Sequence, residues 1–147
     1  MPEYKPLTQA EKDAILARHH QIVDQFNEVE IVPGLMANGE LTLGENIADH
    51  GGVSVAWTAL HNALNGEVPA PIDGFTAEQR FFLGYARVWA QNITDEEKAR
   101  LTKLDVHSLG NNRVNVTLRN FGYFFDAFGI QEGDAMWRPE AERVHIW

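Results

Sequence analysis

Thr8 with Glu11, Thr76 with Gln79, and Thr94 with Glu97 each place a threonine three residues before a glutamate or glutamine. Such a pair satisfies backbone donors reciprocally at a helix N-terminus, so each one predicts a helix start. Apolar residues at helical spacing follow. Ala14, Ile15, Ile22, Val23 and Phe26 give a first helix ending near Asn27. Residues 28–40 read as irregular or briefly extended, with turns at Pro33-Gly34 and Asn38-Gly39. Thr42 or Gly44 then opens a long helix running through Val53, Ala56, Trp57 and Leu60 to about Leu64. Residues 65–74, with Pro69, Pro71 and Gly74, form a loop. The second threonine pair caps a helix carrying Phe81, Phe82, Tyr85, Val88 and Trp89, and the third caps a short helix ending near Leu104. After a connection at residues 105–110, a last helix is predicted from Arg113 to Phe128. The tail from Gly129 reads as coil with a short strand. No alternating pattern competes, so the expected class is mainly α.

A chain of 147 residues is one domain's length. Twelve Lys and Arg against 21 Asp and Glu leave a net charge of −9, the wrong sign for a nucleic-acid partner. The absence of cysteine excludes disulfides, thiolate metal sites and cysteine nucleophiles. It is consistent with a bacterial source but leaves the compartment open. The first residues lack an apolar signal core, and no stretch reaches membrane-spanning length, so a soluble polypeptide is expected. The clusters Phe81-Phe82 and Tyr123-Phe124-Phe125 cover more than one helical face. Helices apolar on several sides are buried on several sides, which points to an assembly larger than this chain.

Glu45 and Asp49 stand four residues apart on the long helix, where like charges cost about 0.2–0.5 kcal/mol. Gly51 and Gly52 follow, each costing about 1 kcal/mol against alanine in a helix interior. A cation, or a metal with its histidines, would compensate the acids, and a second backbone would compensate the glycines. The plainer alternative is a solvated acidic helix start followed by a glycine break.

Three blocks resemble the neprilysin and endothelin-converting-enzyme family of zinc metalloendopeptidases: residues 43–52 (LGENIADHGG), 81–89 (FFLGYARVW) and 105–115 (DVHSLGNNRVN). They occur in the family's order, and the chain closes on a tryptophan, Trp147, as family members do. The resemblance implies the C-terminal helical portion of a zincin catalytic domain, a single partial domain over residues 1–147. It implies Glu45 as a zinc ligand, and Asp49 as the acid that accepts a hydrogen bond from a zinc-bound histidine. It implies His107 as the donor to the transition-state oxyanion, oriented by Asp105, and Arg113 as the group that holds a substrate carbonyl. Gly51 and Gly52 would allow close helix packing near the site. Without the resemblance, His107 is a hydrogen-bonded loop residue and Arg113 a helix-start arginine paired with an acid. His19, His20, His50, His61 and His145 are read as surface or structural.

A catalytic zinc centre of this class also needs two histidines and a general-base glutamate, supplied by His-Glu-x-x-His on one helix. The sequence contains no such motif. In the family it lies before the block at residues 43–52, and the strand that grips a peptide lies earlier still. The expectation is therefore a zinc endopeptidase acting on short peptides and represented by its C-terminal segment. By itself it would be inactive and without stoichiometric Zn2+. Its partner would be the N-terminal catalytic segment or a second copy of itself. The alternative is a non-catalytic helical module that acts by association. Family members are often exported or membrane-anchored.

Overall fold

A computed structural model describes residues 5–146. Six α-helices run in the order α1 (Gln9–Asn27), α2 (Gly39–Leu64), α3 (Ala77–Val88), α4 (Asp95–Leu104), α5 (Gly110–Leu118) and α6 (Gly122–Phe128). Between α1 and α2 lies a hairpin of β1 (Glu30–Val32) and β2 (Leu35–Met36), paired antiparallel with Glu30 opposite Met36. Its turn falls at Pro33-Gly34, where Gly34 has φ +80° and donates its N–H to Glu30 Oε1 at 2.8 Å. The chain is mainly α, as the capping pairs and apolar spacing predict. The threonines cap as expected: Thr8 Oγ1 accepts from Glu11 N, Thr76 Oγ1 from Gln79 N, and Thr94 Oγ1 from Glu97 N.

Three boundaries differ from expectation. Helix α2 begins one turn earlier, because Asn38 Oδ1 accepts the Leu41 N–H at 3.0 Å and takes the capping role. The helix expected over Arg113–Phe128 is two helices, broken at residues 119–121. Asn120 at the break donates to Gln25 Oε1 and accepts from Gln25 Nε2, both at 2.8 Å, and accepts the Val144 N–H at 2.9 Å. It is 2% exposed, and a partner 95 residues away holds it there. The tail has a single 3-10 turn at Glu140–Glu142 and no strand among its described residues.

Two apolar centres hold the helices. Val53, Phe82, Leu118, Phe121, Phe124 and Phe125 form one, with Trp57 and Tyr123 stacked against it, ring centroids 4.5 Å apart. Ile22, Phe26, Val116 and Val144 form the other, beneath α1. His50 is 3% exposed, its ring 4.5 Å from Phe121, so it is a structural histidine. Burial and the charge of His145 hold its pKa down at about 4. Among the described residues no helix is long and apolar enough to cross a membrane.

Candidate functional site

Glu45 and Asp49 lie one turn apart on α2, and α5 crosses beside them. Arg113, in the first turns of α5, reaches back across the crossing. Its Nε donates to Asp49 Oδ2 at 2.5 Å, and its second terminal nitrogen donates to Asp49 Oδ1 at 2.9 Å and to Glu45 Oε2 at 3.4 Å. The guanidinium also stacks on the face of Trp89, 3.8 Å from the ring centre. The cation that the acid pair calls for is therefore Arg113. Burial works against its charge, but the bonds from Asp49 and the fields of Asp49 and Glu45 outweigh that and raise its pKa. Burial also raises the Asp49 carboxyl, and Arg113 only partly offsets it. The Tyr85 hydroxyl closes the cluster by donating to the Arg113 carbonyl at 3.0 Å. Burial drives the Tyr85 hydroxyl's own pKa far upward.

His107 sits in the connection between α4 and α5. Asp105 Oδ1 accepts the His107 backbone N–H at 2.9 Å and lies 2.7 Å from ring Nδ1, an aspartate turn that fixes the ring. The two bonds hold the Asp105 carboxyl below the usual range. Ring Nε2 faces Glu45 Oε2 at 3.3 Å. Next to this contact Ser108 Oγ donates to Asn46 Oδ1 at 2.8 Å. Thus all five predicted residues, Glu45, Asp49, Asp105, His107 and Arg113, gather where α2, the 105–109 loop and α5 meet. Sequence reasoning missed Asn46 and Ser108; each adjoins a predicted residue, and no spacing rule pairs positions 62 apart.

A catalytic zinc takes three protein ligands from a mix of imidazole and carboxylate. No group of three or more His, Asp and Glu that could hold a metal occurs among the described residues. Of the two acids on α2, Glu45 is the more open to an incoming ion: its side chain is 39% exposed and that of Asp49 9%. One carboxylate beside an arginine-bound acid would fit zinc only as part of a larger ligand set. Gly52 faces open space, as does Gly84 on α3, so within the described residues no second backbone presses on Gly52. The close approaches fall instead at Gly39 and Gly110, where a Cβ would overlap the carbonyl oxygens of Val23 and Trp89.

A sequence profile of peptidase family M13 matches residues 4–144. The chain is 38% identical over 133 residues to neprilysin-1 of Caenorhabditis elegans, an alignment covering 86% of this chain and 17% of that protein. It is 30% identical over 135 residues to the neutral endopeptidase of Lactococcus lactis, covering 92% of this chain and 20% of the relative. The fold matches the zinc metalloprotease Zmp1 of Mycobacterium tuberculosis in its open state with a TM-score of 0.89 at 35% identity. That match covers 95% of this chain and 23% of Zmp1. The chain spans about a fifth of the length of the curated relatives it matches. With its acid pair, its loop histidine and its helical frame, the chain belongs to peptidase family M13.

Proposed function

We propose that this chain supplies one carboxylate ligand, an oxyanion donor and a substrate-orienting cation to a zinc endopeptidase centre that cleaves short peptides. The His-Glu-x-x-His helix of that centre comes from sequence outside these 147 residues. The observation that carries this reading is the convergence of Glu45, Asp49, His107 and Arg113 from three separate segments, with His107 Nε2 3.3 Å from Glu45 Oε2. When bound, zinc supplies Lewis acidity that polarises a peptide carbonyl and acidifies water.

The roles of the side chains follow from their bonds. Glu45 presents a partly exposed carboxylate as the ligand. In its imidazolium form His107 donates Nδ1–H to Asp105, which holds the ring, and Nε2–H to charge developing on the carbonyl oxygen. Asp49 spends one lone pair of each oxygen on Arg113 and keeps others to accept an imidazole N–H from a metal-bound histidine. Arg113 keeps a terminal nitrogen outside its bonds to Asp49 and Glu45, free to donate to a substrate backbone carbonyl.

The test is reconstitution with a polypeptide carrying the His-Glu-x-x-His segment. Zinc-dependent cleavage of a short peptide is expected on mixing, absent from either part alone. Glu45→Ala abolishes it, and His107→Ala lowers kcat by about 10²–10³-fold, the usual cost of an oxyanion donor. Cleavage that survives Glu45→Ala overturns the ligand assignment.

A second reading, a helical module that works by self-association, draws on the groove between α2 and α3. Val88 is 72% exposed there, beside the open positions at Gly52 and Gly84. Monomeric light scattering at millimolar concentration would remove it.

A further inference from the structure

Two neighbouring contacts join α2 to the loop that carries His107. Glu45 meets His107, and one residue along on both segments Asn46 meets Ser108. The two contacts differ in kind. Side chains of Glu45 and His107 are 39% and 47% exposed, so water competes for their contact and screens it. Asn46 is 1% exposed, so its contact with Ser108 is shielded.

The bonds of Asn46 run in one direction only. The Asn38 carbonyl can only accept, so the Thr42 hydroxyl, 2.9 Å away, donates to it. Thr42 Oγ1 then accepts from Asn46 Nδ2 at 2.9 Å. That orients the amide, and Asn46 Oδ1 is left facing Ser108, whose hydroxyl donates. The chain from Ser108 to Asn38 ends at the residue that caps α2, so the loop is tied to the rigid first turns of the helix. The other bonds of the loop stay local. Asp105 N–H returns to Leu101 O, and Asp105 binds His107, which moves with it. Arg113 N–H returns to Leu109 O. None of these ties His107 to α2.

We infer that Asn46 and Ser108 are positioning residues: their part-buried hydrogen bond sets the register in which His107 meets Glu45. The inference rests on the zinc endopeptidase reading for its catalytic meaning and on geometry alone for its structural part. A shift of about 1 Å in a reacting group costs on the order of 10²-fold in rate, so a tether one residue away bears directly on turnover.

The test uses Ser108→Ala and Asn46→Ala in the 147-residue chain, singly and together. NMR reads cross-peaks between the His107 ring and the Glu45 side chain, amide exchange over residues 106–109, and the thermal midpoint. In Ser108→Ala the loop amides exchange about two- to tenfold faster, the range for losing one hydrogen bond, and the cross-peaks weaken. The thermal midpoint and exchange in α1 and α6 stay as in the parent. The double variant loosens the loop no further than Asn46→Ala alone. Unchanged exchange and cross-peaks in Ser108→Ala overturn the inference, as does loosening spread evenly over the whole chain. In the reconstituted peptidase the same variant lowers kcat with KM unchanged, and a kcat equal to the parent's overturns the catalytic part. A parent assembly with no activity overturns the zinc peptidase reading instead, and with it the catalytic meaning of the tether; the cross-peaks and exchange still decide the tether itself.

Discussion

Arg113 is held by Asp49 through two hydrogen bonds, by Glu45 through a third contact, and by the face of Trp89. With 6% of its surface exposed, it neutralises an acid that is buried with it. Removing one member of a buried pair strands the other charge, so Arg113→Met should destabilise the chain by about 3–5 kcal/mol, read from the urea midpoint. Arg113→Lys should recover only part of this, because an ammonium cannot serve two carboxylate oxygens in a plane and stack on Trp89 at once. The need for a partner was legible in the Glu45–Asp49 spacing; its identity, 64 residues away, was not. His50 gives a second prediction. Its folded pKa of about 4 lies below the ordinary 6.5, so between those values the unfolded chain binds more protons than the folded one. Stability therefore falls as pH drops from about 6.5 towards about 4, by roughly 3 kcal/mol over the whole window. His50→Asn should lower the stability at pH 7 but flatten the loss between pH 7 and pH 5, in urea titrations at the two values.

The three threonine-capped helix starts were the most legible elements, because a capping pair is a local interaction that needs nothing beyond its own turn. The break between α5 and α6 was the least legible. Apolar spacing runs on through Leu118, Phe121 and Phe125, and the break is enforced by Gln25 from α1 and the Val144 backbone. Asn120→Ala should therefore cost about 2–4 kcal/mol, since it leaves the buried Gln25 amide and Val144 N–H without their partner, and calorimetry would show the drop. The glycines separate in the same way. Gly52→Ala meets open space and should stabilise the isolated chain by up to about 1 kcal/mol through helix propensity. Gly110→Ala would drive a methyl into the Trp89 carbonyl and should destabilise by about 1–3 kcal/mol or more, displacing α3 from the start of α5. Opposite signs from one substitution in two helices can be checked in a single denaturation series.

At the scale of the whole molecule, the chain covers 23% of Zmp1 yet reproduces that part of the fold with a TM-score of 0.89. Its helices are organised around two apolar centres of their own, and the candidate site lies at their margin, where the Glu45 side chain is 39% exposed. Calorimetric titration of the isolated chain with zinc should give no stoichiometric binding at micromolar concentration, because one carboxylate does not make a four-coordinate site. Adding a His-Glu-x-x-His polypeptide should produce one site per pair, and Glu45→Ala should weaken it. The amino-acid order by itself determined the helical class, the capped starts, the acid pair and the blocks that resemble the family, since caps, periodicity and motifs are written within short windows. Only the tertiary structure decided which cation meets the acid pair, where the last helix breaks, which glycines are pressed upon, and that Ser108 anchors the histidine loop through Asn46. Those are bonds between residues 60 or more apart, or contacts whose distance depends on how whole helices cross. No local propensity encodes them, because they exist only once the apolar centres have fixed the helices against one another.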